Sequence, residues 1–124
     1  MSVRETDLYP PVKSFLEDQG YVVKAEVGAA DVVAVRGAEP PVVVELKLGF
    51  SLAVFHQCVE RLKVSDDVYM AVAHKAGKPF YKAVKANTAM ARRLGLGLMV
   101  VRLEDGLVTV HCDPGPYAPR KNTK

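Results

Sequence analysis

The sequence predicts an α/β domain in which helices flank a mixed β-sheet. Short valine-rich runs bounded by glycine and proline recur along the chain, as strands do. Three other segments carry apolar residues at helical spacing. Residues 41–49, Pro-Val-Val-Val-Glu-Leu-Lys-Leu-Gly, are apolar on both faces of an extended chain. That pattern is typical of a central strand covered on both sides, and the rest of the fold is arranged around it.

Length and composition narrow the class of protein. A chain of 124 residues predicts one domain, which we place at residues 1–113, followed by an exposed basic tail at 114–124. The net charge of +3 permits a nucleic-acid partner without requiring one. The two cysteines have no metal-ligand spacing, and no apolar run reaches the length of a membrane span. We therefore expect a cytoplasmic protein with no membrane partner.

The first half of the chain predicts a helix and three strands. Pro10 and Pro11 open the helix, Val12, Phe15, Leu16 and Gln19 form its inner face, and Gly20 ends it. Strands follow at residues 21–26, 31–36 and 41–49. The short turns between them predict an antiparallel meander.

The second half predicts two further helices and three strands. The helix at 50–64 has Ser51 as its N-cap, with Phe55, Val59 and Leu62 facing inward and Val54 and Cys58 widening that face. A strand at 67–73, a helix at 80–94 and a hairpin of strands 96–103 and 107–112 complete the chain. Because a helix connects the third and fourth strands, we expect these two strands to be parallel.

Two charges in the central strand need an explanation. Glu45 and Lys47 are two residues apart, so they point to the same face of the sheet. Removing either charge from water costs several kcal/mol unless it is paired or bound by a ligand. The alternatives are a structural ion pair and a reactive site.

A third charge is predicted to lie beside them. The turn between the second and third strands is centred between residues 38 and 39, which sets Asp31 opposite residues 45–47. An even register places it on their face. Two carboxylates can hold Mg²⁺ or Mn²⁺ and leave positions for water and phosphate. A lysine can orient that water and stabilise developing negative charge, as phosphodiester hydrolysis requires.

These motifs resemble the PD-(D/E)xK nuclease superfamily. The matching residues are Gly28-Ala29-Ala30-Asp31 and Glu45-Leu46-Lys47. Together with residues 5–13, they look more narrowly like a bacterial family of PD-(D/E)xK phosphodiesterases, over about residues 5–117. The resemblance implies the restriction endonuclease-like fold, with an α-β-β-β-α-β core and here an additional C-terminal hairpin.

The resemblance also implies roles for single residues. Asp31 and Glu45 would be metal ligands together with the carbonyl of Leu46, and Lys47 would activate the attacking water. Glu5 resembles an acidic residue that many members supply from the first helix, although Pro10 and Pro11 separate it from the firm part of that helix. An acidic residue ahead of a helix is also favoured by the helix dipole alone.

Two positions on the second helix are compared with RecB-like members. Gln57 resembles a glutamine there, and Arg61 stands where those members usually have tyrosine. Residues four apart are neighbours on a helix, so Arg61 is a candidate phosphate contact beside Gln57. The alternatives are an ordinary polar position for Gln57 and a solvated surface residue for Arg61.

Lysines beyond the motif form a possible phosphate-binding stripe. They are Lys75, Lys78, Lys82 and Lys85, of which we select Lys82 and Lys85, with Arg61, as nucleic-acid contacts. A solvated helix face explains the same pattern equally well.

These observations predict a Mg²⁺-dependent nuclease or phosphodiesterase acting on nucleic acid, with DNA as the favoured substrate and a homodimer as a possible assembly. The alternative is a nuclease-like module that binds nucleic acid or a protein partner without cutting. A third interpretation is a structural oligomer in which Glu45 and Lys47 pair at or near an interface.

Overall fold

A computed structural model describes residues 3–25 and 31–116, apart from the side chain of Asp31. Within these residues the chain forms a mixed α/β structure with three α-helices and an open six-stranded sheet, as the sequence predicts. The helices are α1 (Tyr9–Glu17), α2 (Leu52–Arg61) and α3 (Lys78–Leu94), and a 3₁₀ turn (Glu5–Leu8) precedes α1. The strands are β1 (Val22–Ala25), β2 (Asp31–Val35), β3 (Val42–Lys47), β4 (Asp67–Ala73), β5 (Gly97–Arg102) and β6 (Leu107–Cys112).

The strands lie in the sheet in the same order as in the chain. β1, β2 and β3 are antiparallel neighbours, which confirms the predicted meander. β4 runs parallel to β3, as the helical crossover predicts, and β5 runs parallel to β4. β6 pairs antiparallel with β5 and completes the hairpin. The carboxyl ends of β3, β4 and β5 therefore share one edge of the sheet, which we call the carboxyl edge: Lys47, Ala73 and Arg102 with the residues that follow them.

The sheet separates two apolar layers. One layer lies under α2 and α3 and includes Val43, Met70 and Leu98. The other lies under α1 and the 3₁₀ turn and includes Leu8, Val44 and Leu46. Because β3 supplies both layers with alternating residues, it is a strand covered on both faces, as predicted.

Helix α2 differs from its prediction at both ends and on one face. It covers ten residues, with the Ser51 hydroxyl accepting a hydrogen bond from the Val54 amide at 3.2 Å, as a cap does. Val54, Phe55 and Cys58 are buried and Leu62 packs against them. Val59 is 42% exposed, so its predicted inward position is wrong. The buried face of the helix is centred on residues 54 and 58. Val59 follows residue 58 directly, and a rotation of about 100° per residue turns its side chain away from that face.

The inner face of α1 is also shorter than predicted. Val12 and Leu16 are buried and Phe15 is partly buried, but Gln19 lies beyond the last residue of the helix and is exposed. Its side-chain amide donates to the Phe15 carbonyl at 3.1 Å. Gln19 thus satisfies the end of the helix instead of contributing to the core.

Two polar contacts lie at the amino end of the parallel strands. The buried Ser65 hydroxyl donates to the Pro41 carbonyl at 2.5 Å and accepts from the Asp67 amide at 3.1 Å, so it joins the starts of β3 and β4. Near the start of β4 the Tyr69 hydroxyl donates at 2.6 Å to Asp113, which follows β6. Burial, more than this hydrogen bond, raises the pKa of Tyr69.

Gly97 is required where β5 passes the Tyr69 ring. A Cβ atom at Gly97 would lie 2.4 Å from Cδ2 of Tyr69 and 2.9 Å from Cδ of Pro114. Contacts this short are excluded by atomic size, so a side chain at residue 97 would displace the ring or the strand.

None of the helices in residues 3–25 and 31–116 has the length and apolar character needed to cross a bilayer. Two predicted features, the turn at 28–30 and the residues of the basic tail from 117 to 124, lie outside the described residues.

Candidate active site

Glu45 and Lys47 lie on the face of β3 that is covered by α2. Val43 belongs to the layer under α2 and α3, whereas Val44 and Leu46 belong to the opposite layer. Side chains alternate along a strand, so Glu45 and Lys47 share the face of Val43. Glu45 is 3% exposed, and Lys47 reaches the carboxyl edge, where it is partly exposed. The predicted pair of charges on one face is confirmed.

Asp31 lies opposite Glu45 in the antiparallel ladder of β2 and β3. This is the even register that the sequence predicts, and directly opposite residues in such a ladder share a face of the sheet. The backbone therefore brings two acidic positions together on adjacent strands. The side chain of Asp31 and the turn before it lie outside the described residues.

The buried carboxylate of Glu45 contacts a cation. Arg61, the last residue of α2, places its Nε atom 3.5 Å from Oε2 of Glu45. The two side chains differ greatly in exposure, at 4% for Glu45 and 41% for Arg61. A carboxylate removed from water in this way demands nearby positive charge. Arg61 supplies part of it, so this arginine is not simply a solvated residue.

Glu5 reaches the site from the opposite layer. The 3₁₀ turn packs against β3 and β4, with Leu8 fully buried beneath it. The Arg4 amide donates to the Asp7 carboxylate at 2.8 Å, which closes the turn around Glu5. Glu5 then lies 3.7 Å from the ammonium of Lys47. Because the 3₁₀ turn runs directly into α1, the two prolines do not keep Glu5 away from the site.

Gln57 lies one helical turn before Arg61 on α2 but remains exposed. Among the described residues its side chain makes no hydrogen bond. Its neighbour Arg61 forms the ion pair with Glu45 of β3.

Lys82 and Lys85 are not part of this cluster. Both are exposed on α3, which packs against β5 and β6, whereas Glu45 and Lys47 lie on β3. They line a groove together with Arg92 and His111. The structure thus separates the three predicted nucleic-acid contacts into Arg61 at the site and two lysines elsewhere.

The carboxyl edge carries further groups that the sequence analysis did not assign. Phe50 and Phe80 stack with ring centroids 6.2 Å apart, and His74 meets Phe80 edge-on at 5.4 Å. On the α1 side of the same edge, a cavity of about 440 Å³ is lined in part by His74, Lys75 and Arg102. Parallel β3 and β4 were predicted, and ligands of such sheets bind at the carboxyl ends of the strands, so topology could have indicated this region.

The donor set fits a divalent metal ion in chemical type. Hard cations such as Mg²⁺ take oxygen ligands, and Glu45, the Leu46 carbonyl and Asp31 are oxygen donors on adjacent strands. The contact with Arg61 shows that positive charge is accommodated at Glu45. Within the described part of the chain, no three acidic, histidine or cysteine side chains are grouped closely enough to hold a metal, so the site depends on Asp31.

No family model and no curated protein matches this sequence.

Proposed function

We propose that this chain is a Mg²⁺- or Mn²⁺-dependent nuclease of the PD-(D/E)xK type, a phosphodiesterase that hydrolyses nucleic acid, with DNA as its substrate. The observation that carries the proposal is the register of β2 against β3, which pairs Asp31 with Glu45 two residues before Lys47. This arrangement reproduces the order and spacing of the motif on two adjacent strands.

The fold supports the same proposal. α1, the β1–β2–β3 meander, α2 and β4 follow one another in the α-β-β-β-α-β order of the restriction endonuclease-like core. β5 and β6 extend that sheet beyond β4. We therefore assign the chain to this fold as part of the proposal.

In the proposed reaction each residue has a distinct task. Asp31, Glu45 and the Leu46 carbonyl hold the metal ion, which would supply Lewis-acid stabilisation of charge at phosphorus. Lys47 orients the attacking water for in-line displacement and stabilises the developing negative charge. Glu5, 3.7 Å from Lys47, holds the ammonium in position. Arg61, half-exposed beside Glu45, is available for a substrate phosphate.

The contact of Glu45 with Arg61 also favours a second candidate function. A guanidinium that neutralises the buried carboxylate does part of what a metal ion would do there. A nuclease-like module that binds nucleic acid or a protein partner without cutting would need no metal ion beside Glu45. The two functions differ in metal affinity, because the second has no use for a divalent ion.

The test is cleavage of plasmid and branched DNA with Mg²⁺ or Mn²⁺, comparing the wild type with Glu45→Ala and Glu45→Gln. We expect cleavage that EDTA abolishes and that both variants lose. Glu60→Ala is the matched control, since Glu60 is an exposed acid on α2 that pairs with Lys63. Calorimetry measures metal binding in parallel. A wild type that neither cleaves nor binds metal would refute the nuclease proposal and leave the non-cutting module.

A further inference from the structure

A second groove lies between α3 and β6, at the opposite side of the sheet from β1. Its volume is about 630 Å³. Three cations from α3 line it, Lys82, Lys85 and Arg92, and β6 contributes His111. Among the residues that the structure describes, no acidic side chain lines the groove.

Three of the cations on α3, Lys82, Lys85 and Arg92, have no acidic partner among the described residues. The helix carries five cations, Lys78, Lys82, Lys85, Arg92 and Arg93, and its seventeen residues include no acid. None of the ion pairs among the described residues includes Lys82, Lys85 or Arg92. Other cations of the protein do have such partners: an acidic residue three positions away in the chain pairs with Arg36, with Lys63 and with Arg102.

The helix dipole does not explain the two lysines. It acts within the first and last turns of a helix, whereas Lys82 and Lys85 lie four and seven residues after the first residue of α3. Arg92 is in the last turn, where the dipole favours it. Because Lys82 and Lys85 have no acidic partner among the described residues, their charge points to an anionic ligand.

The groove also offers an aromatic surface. Tyr81 is 77% exposed although its ring is largely apolar. Val84 and Ala89 form apolar wall next to it. An apolar wall gives no advantage to a ligand that presents only phosphate, but it suits a ligand with a flat ring beside its charges.

Thr88 adds a polar group without a partner. Its hydroxyl oxygen is buried and has no hydrogen-bond partner within residues 3–25 and 31–116, and Thr88 lines the groove. Threonine hydroxyls inside helices commonly bond the carbonyl four residues earlier. Here that bond is not made, but an oxygen buried this completely does not contact a ligand in the groove, so recognition depends on the cations and on the Tyr81 ring.

We infer that this groove binds a single-stranded segment of nucleic acid. A base stacks on Tyr81, and the flanking phosphates contact Lys82, Lys85 and Arg92, which span about 15 Å of the helix axis. A duplex keeps its bases stacked inside and would leave the apolar wall unused. The inference rests on the proposed function and specifies its substrate class: nucleic acid with an unpaired segment.

The position of α3 relates the groove to the candidate active site. β4 ends at Ala73 on the carboxyl edge, and α3 begins at Lys78, with four residues between them. The groove therefore starts near the carboxyl edge and extends away from it along α3. Phe80, next to Tyr81 in α3, stacks on Phe50, which is three residues after Lys47.

The inference is tested by fluorescence anisotropy with a labelled single-stranded oligonucleotide and with its duplex, in EDTA. We expect the wild type to prefer the single strand. Tyr81→Ala should lower single-strand affinity about tenfold or more, and Tyr81→Phe should restore it, because the stacking surface returns. Removing Lys82 or Lys85 should reduce the salt dependence of binding by about 0.7 per lysine.

Two control variants sharpen the test. Lys63→Ala removes an exposed lysine that pairs with Glu60 on α2 and should leave binding unchanged. Thr88→Val replaces a buried hydroxyl at constant shape and should also leave binding unchanged. Equal affinity for duplex and single strand, unchanged affinity in Tyr81→Ala, or tighter binding of a polyglutamate peptide would each overturn the inference.

Binding and cleavage can be measured separately. EDTA removes the divalent ion that cleavage requires, so single-strand binding is measured there independently of the proposed active site. Binding without cleavage when Mg²⁺ is added refutes the nuclease and leaves the groove. Cleavage that is insensitive to Tyr81→Ala, with no single-strand preference, refutes the groove and leaves the nuclease.

Discussion

The two halves of the sheet differ in how completely the helices cover them. In β3, β4 and β5 almost every residue is buried. β1 and β2 form one flank of the sheet, where Val22 is 60% exposed and Val35 is 39% exposed. These two valines are paired in the ladder and lie on the face that α2 and α3 cover in the central strands.

The candidate active site crosses the boundary between these halves. Glu45 and Lys47 belong to the covered half, whereas Asp31 is supplied by the more open flank. A site that must admit metal, water and a long substrate needs solvent on one side and fixed geometry on the other. We therefore expect β3 to fix the geometry of the candidate site and the uncovered flank of β1 and β2 to give solvent and substrate access to it.

The largest expected effect tests the packing of the two halves. Met70→Ala, in the middle of β4, should lower the free energy of unfolding by about 2–5 kcal/mol because it leaves a cavity in a fully buried layer. Val22→Ala on the flank should change it by less than about 0.5 kcal/mol. Chemical denaturation measures both, and similar losses in the two variants would contradict the distinction.

The next prediction compares two strand lysines. Lys47→Ala should reduce DNA cleavage about 10²–10³-fold, since in the proposed mechanism Lys47 stabilises charge that develops in the transition state. Lys24→Ala, on exposed β1, should leave cleavage unchanged. Circular dichroism should show both variants folded. Full activity of Lys47→Ala would reject the proposed mechanism.

The connection between β3 and β4 should depend on one hydroxyl. Ser65→Ala removes a buried donor to Pro41 and a buried acceptor for Asp67. We expect a loss of about 1–3 kcal/mol in the free energy of unfolding, because the partners remain buried. Ser14→Ala, at an exposed position of α1, is the control with little expected change.

Arg61 should compete with a divalent metal for Glu45. Arg61→Gln should raise Mn²⁺ affinity about two- to five-fold, as expected from the energy of a half-exposed ion pair. Arg36→Gln removes a flank arginine that pairs with Glu39 and should not change metal affinity. Calorimetry provides the measurement, and weaker metal binding in Arg61→Gln would show that Arg61 supports the metal instead.

The smallest effect is expected at the exposed turn of the β5–β6 hairpin. The Arg102 guanidinium, followed by the Leu107 amide, lowers the pKa of Asp105 from 3.8 to about 2. A lowered pKa means that the ionised carboxylate stabilises the folded state above 3.8 and that this stabilisation disappears as the pH falls through about 2. The difference in unfolding midpoint between the wild type and Asp105→Asn should therefore shrink over that interval. A constant difference would contradict the assignment.

Much of the fold could be predicted because it depends on local patterns. Strand and helix periodicity identified every regular element except the 3₁₀ turn, and the boundaries of β4 and β6 agree to the residue. The centre of one hairpin turn set the pairing of Asp31 with Glu45. Val59 and Gln19 were misplaced because burial depends on how the helix is rotated and where it ends, which neighbouring elements decide.

Sequence patterns were therefore enough to predict the order of the elements, the central position of β3, and the shared face of Glu45 and Lys47. The packing of the elements was needed to show that Glu5 reaches Lys47 from the opposite layer and that Arg61 contacts Glu45. It also separated Lys82 and Lys85 from that cluster and joined them to His111 and Tyr81 in a groove. The physical reason is that periodicity and turn geometry act within a few residues, whereas these contacts join segments that only packing brings together.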